Sequence, residues 1–102
     1  MQFLVIAYDG KDEGALERRM SVRPKHLENM TKVKETGSVV CAGGIKDSDG
    51  RPIGSAMIME FADRAAFDEY LKNEPYVLNN VWQDIKVEPI SVVVLNDEMV
   101  GK

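Results

Sequence analysis

QFLVIAY, the run from Gln2 to Tyr8, is apolar at nearly every position and rich in residues that favour β-strands. A strand of this kind is typical of the middle of a sheet, where both faces are covered. It passes directly into a polar, turn-like segment from Asp9 to Glu13. The chain is therefore expected to begin with a central strand, and this start has neither the basic residues nor the cleavage site of a secretory signal.

A helical pattern follows from Ala15 to about Thr36. Apolar residues recur there at three- and four-residue steps, namely Leu16, Met20, Leu27, Met30 and Val33. Pro24 suits a first helical turn better than a helix interior, so we predict a short helix and a longer one that starts near Pro24. Gly37 fits the left-handed position that commonly ends a helix.

Two further strands are predicted at 38–42 and 55–61, joined by a glycine-rich loop. Asp63 is a good N-cap for a second helix, and Pro75 ends it. The apolar face of this helix would comprise Ala66, Phe67, Tyr70 and Leu71. A last strand is predicted from 85 to 95, with a bulge or an edge position at Glu88-Pro89.

The predicted order is β-α-β-β-α-β, which is the ferredoxin-like arrangement. We therefore expect an α+β fold in which two helices cover one face of a four-stranded antiparallel sheet. The strands at 2–8, 38–42 and 92–95 are apolar on both faces, so the second face of the sheet needs a partner. This predicts a homodimer that packs sheet to sheet.

Composition limits the classes of protein to which the chain can belong. Its 102 residues are 44% hydrophobic and 29% charged, as in an ordinary globular domain. We expect one domain over 1–102, with a core at 1–95 and a C-terminal tail at 96–102. The single Cys41 excludes an internal disulfide, and the apolar runs are too short to span a bilayer. A cytoplasmic protein that does not bind membranes is expected.

The net charge is −4, which disfavours nucleic acid as a partner because that binding needs a basic surface. One basic cluster exists, at Arg18, Arg19, Arg23 and Lys25, beside the only histidine, His26. In the first turn after Pro24, unpaired N–H groups would favour the neutral imidazole of His26, which suits a general base. The alternative is an exposed histidine on a solvated basic face with no chemical role.

A second candidate site is Glu74-Pro75-Tyr76, which offers a carboxylate and a phenol close together. The carboxylate could accept a proton or orient a histidine, and the alternative is a helix stop followed by a core tyrosine. Cys41 is expected to be a buried, inert thiol within a strand. One histidine and one cysteine fit no familiar metal site, and no phosphate-binding glycine loop is present.

These features resemble the YciI-like (YCII-related) family over residues 1 to about 95. The resemblance is carried by Ser21-Val22-Arg23-Pro24-x-His26-Leu27, Gly37, Ala42-Gly43-Gly44, Asp49-Gly50, Gly54-Ser55 and Glu74-Pro75-Tyr76. It implies a ferredoxin-like dimeric α/β barrel, similar to muconolactone isomerase and related enzymes of small aromatic compounds. Glu74 stands where the family usually has Asp, and Gly44 stands where Pro is common.

The resemblance also implies residue roles. The family's presumed active site pairs a histidine with an aspartate, which correspond here to His26 and Glu74. One relative eliminates HCl from a chlorinated hydroxyhydroquinone, which implies lyase or isomerase chemistry without a metal or an organic cofactor. We therefore expect a homodimeric enzyme that transfers protons on a small anionic or phenolic cyclic substrate.

In this hypothesis His26 is the general base and Glu74 orients it or relays the proton. Arg23 would hold the anion and Tyr76 would donate a hydrogen bond, with Ser21 and Arg19 as further candidates for substrate binding. The alternative is a non-catalytic dimer that binds a small ligand or acts as an accessory protein. The separation of His26 and Glu74 discriminates the two, because chemistry needs hydrogen-bond reach.

Overall fold

The structure is a computed structural model that describes residues 1–96 and 98–100. Four strands form one antiparallel sheet. The strands are β1 (Gln2–Asp9), β2 (Val39–Lys46), β3 (Pro52–Glu60) and β4 (Trp82–Ile90). The helices are α1 (Ala15–Glu35), α2 (Arg64–Lys72) and α3 (Pro75–Leu78). The spatial order is β2-β3-β1-β4, which confirms the predicted ferredoxin-like fold with β1 inside the sheet.

The helices cover one face of this sheet, where the core lies. Alternate residues of β1 point to that face, and Phe3, Val5 and Ala7 are all buried. The register places Val5 opposite Met57 on β3 and opposite Val87 on β4. Because side chains alternate along a strand, the same register also places Ser55 on the helix-covered face.

The other face of the sheet, which we call the open face, has no covering element among the described residues. It carries Leu4, Ile6, Tyr8, Cys41, Ala56 and Ile58, which the strand register places side by side. Of these, Tyr8 and Cys41 are exposed. The prediction of a buried Cys41 is wrong, because β2 is an edge strand whose middle is covered by neither a helix nor a further strand.

Helix α1 differs from its prediction in two ways. It runs unbroken from Ala15 to Glu35 with Pro24 in its interior, so the predicted second helix start near Pro24 is wrong. Its buried residues are Arg19, Val22 and His26, which lie on both sides of Pro24. We attribute the continuity to this packing against the sheet, which offsets the hydrogen bond that a proline cannot donate.

The buried face of α1 is also rotated from the predicted apolar stripe. Met20 and Leu27 belong to that stripe, yet Met20 is 50% exposed and Leu27 is 43% exposed. Only Met30 and Val33 of that stripe pack against the core. As predicted, Gly37 follows the helix in the left-handed conformation, with φ of +82°.

The segment after β3 follows its prediction closely. The Asp63 carboxylate accepts a hydrogen bond from the Ala66 N–H and caps α2. The helix buries Phe67 and Tyr70, and it ends before Pro75, which begins the short α3. This break places Glu74 between two helices at the edge of the core.

The predicted final strand, 85–95, is two separate elements. β4 begins earlier, at Trp82, and ends at Ile90, and Val94–Leu95 (β5) pairs with Glu98–Met99 (β6) in a small hairpin. Pro89 lies on an edge strand without a bulge, where a missing N–H is tolerated. Of the expected tail at 96–102, residues 97, 101 and 102 lie outside the described residues. None of the described helices is long and apolar enough to cross a membrane.

Candidate functional site

His26 and Glu74 form the centre of the candidate site. The Nδ1 atom of His26 lies 2.6 Å from Oε1 of Glu74, although the two residues are far apart in sequence. His26 lies in the interior of α1, so the expectation that it occupies a first helical turn with free N–H groups is wrong. The neighbouring carboxylate, and not a helix end, is the group that orients its ring.

Glu74 is completely buried and held by three hydrogen-bond partners. Its Oε2 accepts from the Tyr70 hydroxyl at 2.9 Å, and its Oε1 accepts from the Tyr76 N–H at 3.2 Å. Burial, together with the Glu74 charge, raises the pKa of Tyr70 far above its usual range, so this hydroxyl stays protonated. The carboxylate is therefore fixed by donors and presents Oε1 to His26.

The other ring nitrogen of His26, Nε2, has no hydrogen-bond partner among the described residues, and His26 lines the adjacent cavity. Two aromatic residues fix the plane of the imidazole. The Tyr76 ring stacks on it with centroids 3.9 Å apart, and Trp82 contacts it edge-on at 5.8 Å. When the ring is neutral and Nδ1 carries the proton toward Glu74, Nε2 has a free lone pair. The site thus presents a proton acceptor in a fixed orientation.

The cavity lies between α1 and the β2–β3 half of the sheet and has a volume of about 560 Å³. This size is in the range of small-molecule sites, which are commonly about 300–1,000 Å³. Its apolar lining includes Met20, Leu27, Met30 and Met57. Its polar lining includes Arg19, Arg23, His26, Ser55 and Tyr76.

The two candidate arginines both line this cavity but differ in exposure and in ion pairing. Arg23 is exposed at the rim and forms no ion pair within the described part of the chain. Arg19 is 6% exposed and its Nη1 contacts Oδ1 of Asp9 at 2.8 Å. Burial raises the pKa of Tyr76, and the positive charges of Arg19 and Arg23 oppose this effect. Arg23 is therefore the more accessible cation.

Ser21 is the one sequence candidate that belongs neither to the cavity lining nor to the His26–Glu74 contact. It is exposed, and its hydroxyl donates to the carbonyl of Arg18 at 2.9 Å. A hydroxyl that back-bonds to its own helix is a common arrangement and needs no ligand. Ser21 therefore lies outside the candidate site.

Three residues of the site were not predicted from the sequence, namely Asp9, Ser55 and Tyr70. Asp9 and Ser55 continue the every-second-residue pattern of buried positions in β1 and β3, which was the available signal. Tyr70 was predicted on the apolar face of α2, and a buried tyrosine hydroxyl normally finds a partner. Its partner, Glu74, lies four residues later.

No group of three or more metal-binding side chains occurs among residues 1–96 and 98–100. Asp9 has one buried oxygen, Oδ2, without a hydrogen-bond partner in the same part of the chain. Burial raises the pKa of Asp9, and Arg19 partly offsets this effect. The Asp9–Arg19 pair thus places a partly neutralised cation, Arg19, in the cavity wall.

Comparison with known proteins places this chain in a family. The model of the YCII-related domain matches residues 1–91. Protein YciI of Escherichia coli O6:H1 is 30% identical over 99 residues, which cover 91% of this chain and 99% of the relative. The sequence similarity therefore extends across both the His26 and the Glu74 segments.

Solved structures share the fold. The 5-chloro-2-hydroxyhydroquinone dehydrochlorinase of Burkholderia phenoliruptrix AC1100, in complex with 2,5-dihydroxybenzoquinone, superposes with a TM-score of 0.79 at 22% identity, covering 89% of this chain and 94% of that one. A dimeric ferredoxin-like protein of unknown function from Jannaschia sp. CCS1 gives 0.53 at 18% identity, covering 89% and 98%. The match over residues 1–91 identifies the chain as a member of the YCII-related family.

Proposed function

We propose that this protein is a cofactor-independent enzyme that transfers a proton on a small anionic or phenolic cyclic compound. The observation that carries the proposal is the 2.6 Å contact between Nδ1 of His26 and Oε1 of a completely buried carboxylate. A histidine held in this way has a defined tautomer, and its second nitrogen remains free to accept a proton, which is the arrangement of a general base. His26 is the base in this proposal.

Glu74 acts through His26. When His26 takes a proton from the substrate, the ring becomes positively charged, and the adjacent carboxylate stabilises that charge. Tyr70 and the Tyr76 N–H keep the carboxylate in place, so little reorganisation is needed during the reaction. Glu74 and Tyr70 are therefore positioning residues, because neither lines the cavity.

The cavity lining supports the proposed substrate class. Arg23 supplies an exposed positive charge at the rim, which favours an anionic substrate. Tyr76 lies beneath His26 and its hydroxyl forms no hydrogen bond within the described residues, so it can donate to a substrate oxygen. The methionine side chains of the lining suit contact with the faces of a planar ring.

The proposed reaction is an elimination or an isomerisation. In an elimination, Nε2 of His26 removes a proton from a ring carbon, and the C–H electron pair forms a new double bond. The bond to the leaving group on the adjacent carbon breaks, and that group departs with its electron pair. In an isomerisation, the protonated His26 returns the proton to a different atom of the same substrate.

The structural relative from Burkholderia is described as a dehydrochlorinase and holds a dihydroxylated ring. We extend this class of ligand to the present chain because the same fold here encloses a ring-sized cavity beside a fixed histidine. The proposed domain comprises residues 1–102.

We also propose that two copies associate through their open faces. Leu4, Ile6, Ala56 and Ile58 form a contiguous apolar patch there, which is a common feature of protein interfaces. Proteins of this fold that are described as dimeric support the proposal.

A cytoplasmic location is part of the proposal, since the exposed thiol of Cys41 would persist in a reducing compartment.

Chloride release from 5-chloro-2-hydroxyhydroquinone, together with a panel of hydroxylated cyclic acids, tests the proposal. The wild-type protein is expected to turn over at least one of these compounds, and His26→Ala is expected to lose about 10²–10⁴-fold in rate. Lys25→Ala is the matched control, because Lys25 is exposed on the same helix and does not line the cavity. Full turnover by His26→Ala would refute the role of His26, and binding without turnover would favour a non-catalytic ligand-binding protein.

A further inference from the structure

Ser55 is a buried residue of β3 that lies where the candidate site meets the sheet. Its side chain is 5% exposed, and it lines the same cavity as His26. Its Oγ is 2.9 Å from Nη2 of Arg19 and 3.2 Å from Nε1 of Trp82. Neither of these contacts belongs to the His26–Glu74 pair, and the proposed proton transfer does not use them.

The hydrogen bonds of Ser55 can be counted. The guanidinium of Arg19 and the indole of Trp82 have donors only, so Ser55 Oγ must accept both bonds. A hydroxyl has two acceptor lone pairs and one hydrogen, so the hydrogen of Ser55 is left over. No acceptor is bonded to it among residues 1–96 and 98–100. Because Ser55 lines the cavity, a molecule bound there could accept this hydrogen.

From this count we propose that Ser55 is a substrate-positioning residue whose hydroxyl donates a hydrogen bond to an anionic or carbonyl oxygen of the ligand. The inference rests on the proposed function, because it assigns the oxygen-binding end of the same cavity. The ligand class that it adds is a ring with an exocyclic oxygen able to carry negative charge, such as a phenolate or an enolate.

Arg19 makes Ser55 a stronger donor than an ordinary serine. A hydroxyl that accepts a bond from a cation is polarised and donates more strongly in turn. Arg19 is held in place by Asp9 Oδ1 at 2.8 Å and by the face of Tyr76, whose centroid lies 4.9 Å from the guanidinium carbon. We therefore assign Arg19 to act on the ligand through Ser55 and not as a free anion-binding group.

Tyr76 connects this donor to the proposed base. One ring contacts both the imidazole of His26, at 3.9 Å, and the guanidinium of Arg19. The proton acceptor and the Arg19-polarised hydroxyl therefore belong to one contact cluster in the cavity wall. As His26 removes a proton from a ring atom, negative charge moves to a conjugated oxygen, and Ser55 stabilises that oxygen.

Calorimetric titration with 2,5-dihydroxybenzoquinone as the probe tests this role. Ser55→Ala is expected to bind the probe at least about 10-fold more weakly than the wild type, whereas Ser55→Thr, which keeps the hydroxyl, should bind within about threefold. Ser38→Ala is the matched control, because it removes a serine hydroxyl outside the cavity. Equal binding by the wild type and a folded Ser55→Ala would overturn the inference and leave the role of His26 intact.

Two further outcomes are decisive. If the wild type does not bind the probe, the proposed ligand class is wrong, and the inference is wrong with it. A neutron structure locates the Ser55 hydrogen without any ligand, and it is expected to point into the cavity. A hydrogen directed instead at the unpaired Oδ2 of Asp9 would show that Ser55 only supports the Arg19–Asp9 pair.

Discussion

His26 Nδ1 and Glu74 Oε1 lie 2.6 Å apart, and Glu74 has no solvent-exposed surface. Two segments that are distant in the sequence, the middle of α1 and the junction between α2 and α3, are thus joined by one short polar contact. A buried carboxylate requires such partners, because an unpaired one would be strongly destabilising. The same contact that holds the fold together therefore orients the imidazole at the cavity.

Replacing Glu74 tests how far activity depends on this contact. Glu74→Gln keeps the shape of the side chain but removes the negative charge that would stabilise a protonated His26. We expect its turnover to fall by about 10²-fold or more, as when the carboxylate of other histidine–carboxylate pairs is neutralised. Steady-state kinetics on a substrate identified in the turnover screen provide the measurement.

The control for this variant is Glu69→Gln, which removes an exposed carboxylate from α2. It is expected to leave turnover unchanged. Equal turnover by Glu74→Gln and wild type would mean that the buried carboxylate serves the fold alone.

Tyr70 is predicted to contribute through Glu74. Tyr70→Phe removes one hydrogen bond from Oε2 and leaves the aromatic packing in place. We expect a loss of about 1 kcal/mol in the free energy of unfolding, together with a fall in kcat that exceeds the change in KM. Denaturant titration and steady-state kinetics measure the two effects. Thr31→Val is the control, because Thr31 is exposed on α1 and its hydroxyl donates to the Leu27 carbonyl of the same helix; an identical response of both variants would contradict this role.

The Asp9–Arg19 pair predicts a specific dependence of stability on pH. Burial raises the pKa of Asp9, so the folded state binds a proton more readily than the unfolded state. The contribution of Asp9 is then largest at low pH and is lost as the pH rises from about 4 through the raised pKa. The difference in unfolding free energy between wild type and Asp9→Asn should therefore fall with increasing pH.

Asp12→Asn is the control, because the opposite dependence of stability on pH is expected for Asp12. Its hydrogen bond with Arg18 lowers the pKa of Asp12, so the contribution of this residue is lost as the pH falls below about 4. Urea titrations of both variants between pH 3 and pH 7 measure the two trends. Parallel trends for Asp9 and Asp12 would contradict the opposite pKa shifts of the two carboxyls.

We predict that a single charged substitution on the open face disrupts the proposed dimer. Ile58 lies beside Leu4 and Cys41 on this face, so Ile58→Lys would place a positive charge within the proposed interface. Light scattering after size exclusion is expected to give a dimer for the wild type and a monomer for this variant. Lys34→Glu changes a charge on the exposed surface of α1 and should remain dimeric. A monomeric wild type at micromolar concentration would refute the interface.

Local sequence patterns were sufficient to predict the overall fold. The apolar run at Gln2–Tyr8, the cap at Asp63 and the turn glycine at Gly37 each specify structure through nearby residues, and all three predictions are confirmed. The break at Pro24 was wrong because packing of Val22 and His26 on both sides of it lies outside any local rule. The predicted final strand was too long at its C-terminal end, because apolar β-branched residues also occur in the short hairpin after Ile90.

The site was harder to predict than the fold. The sequence itself offered His26 and Glu74 as candidates, and the resemblance to the family paired them. The distance between them depends on how α1 and α3 pack together. Asp9 and Ser55, the two partners of Arg19, were missed because polar residues at buried positions contradict the apolar pattern by which a core is recognised. Such exceptions are informative in their own right, since buried polar groups often mark functional sites.

In the proposed site, Glu74 fixes the His26 ring with Nε2 free toward the cavity. Nitrogen-15 NMR of the imidazole tests this arrangement most directly, because His26 is the only histidine of the chain and the two tautomers have distinct ring-nitrogen shifts. We predict that neutral His26 carries its proton on Nδ1 in the wild type and loses this preference in Glu74→Gln. A proton on Nε2 in the wild type, or the same tautomer distribution in both proteins, would contradict the proposed role of Glu74.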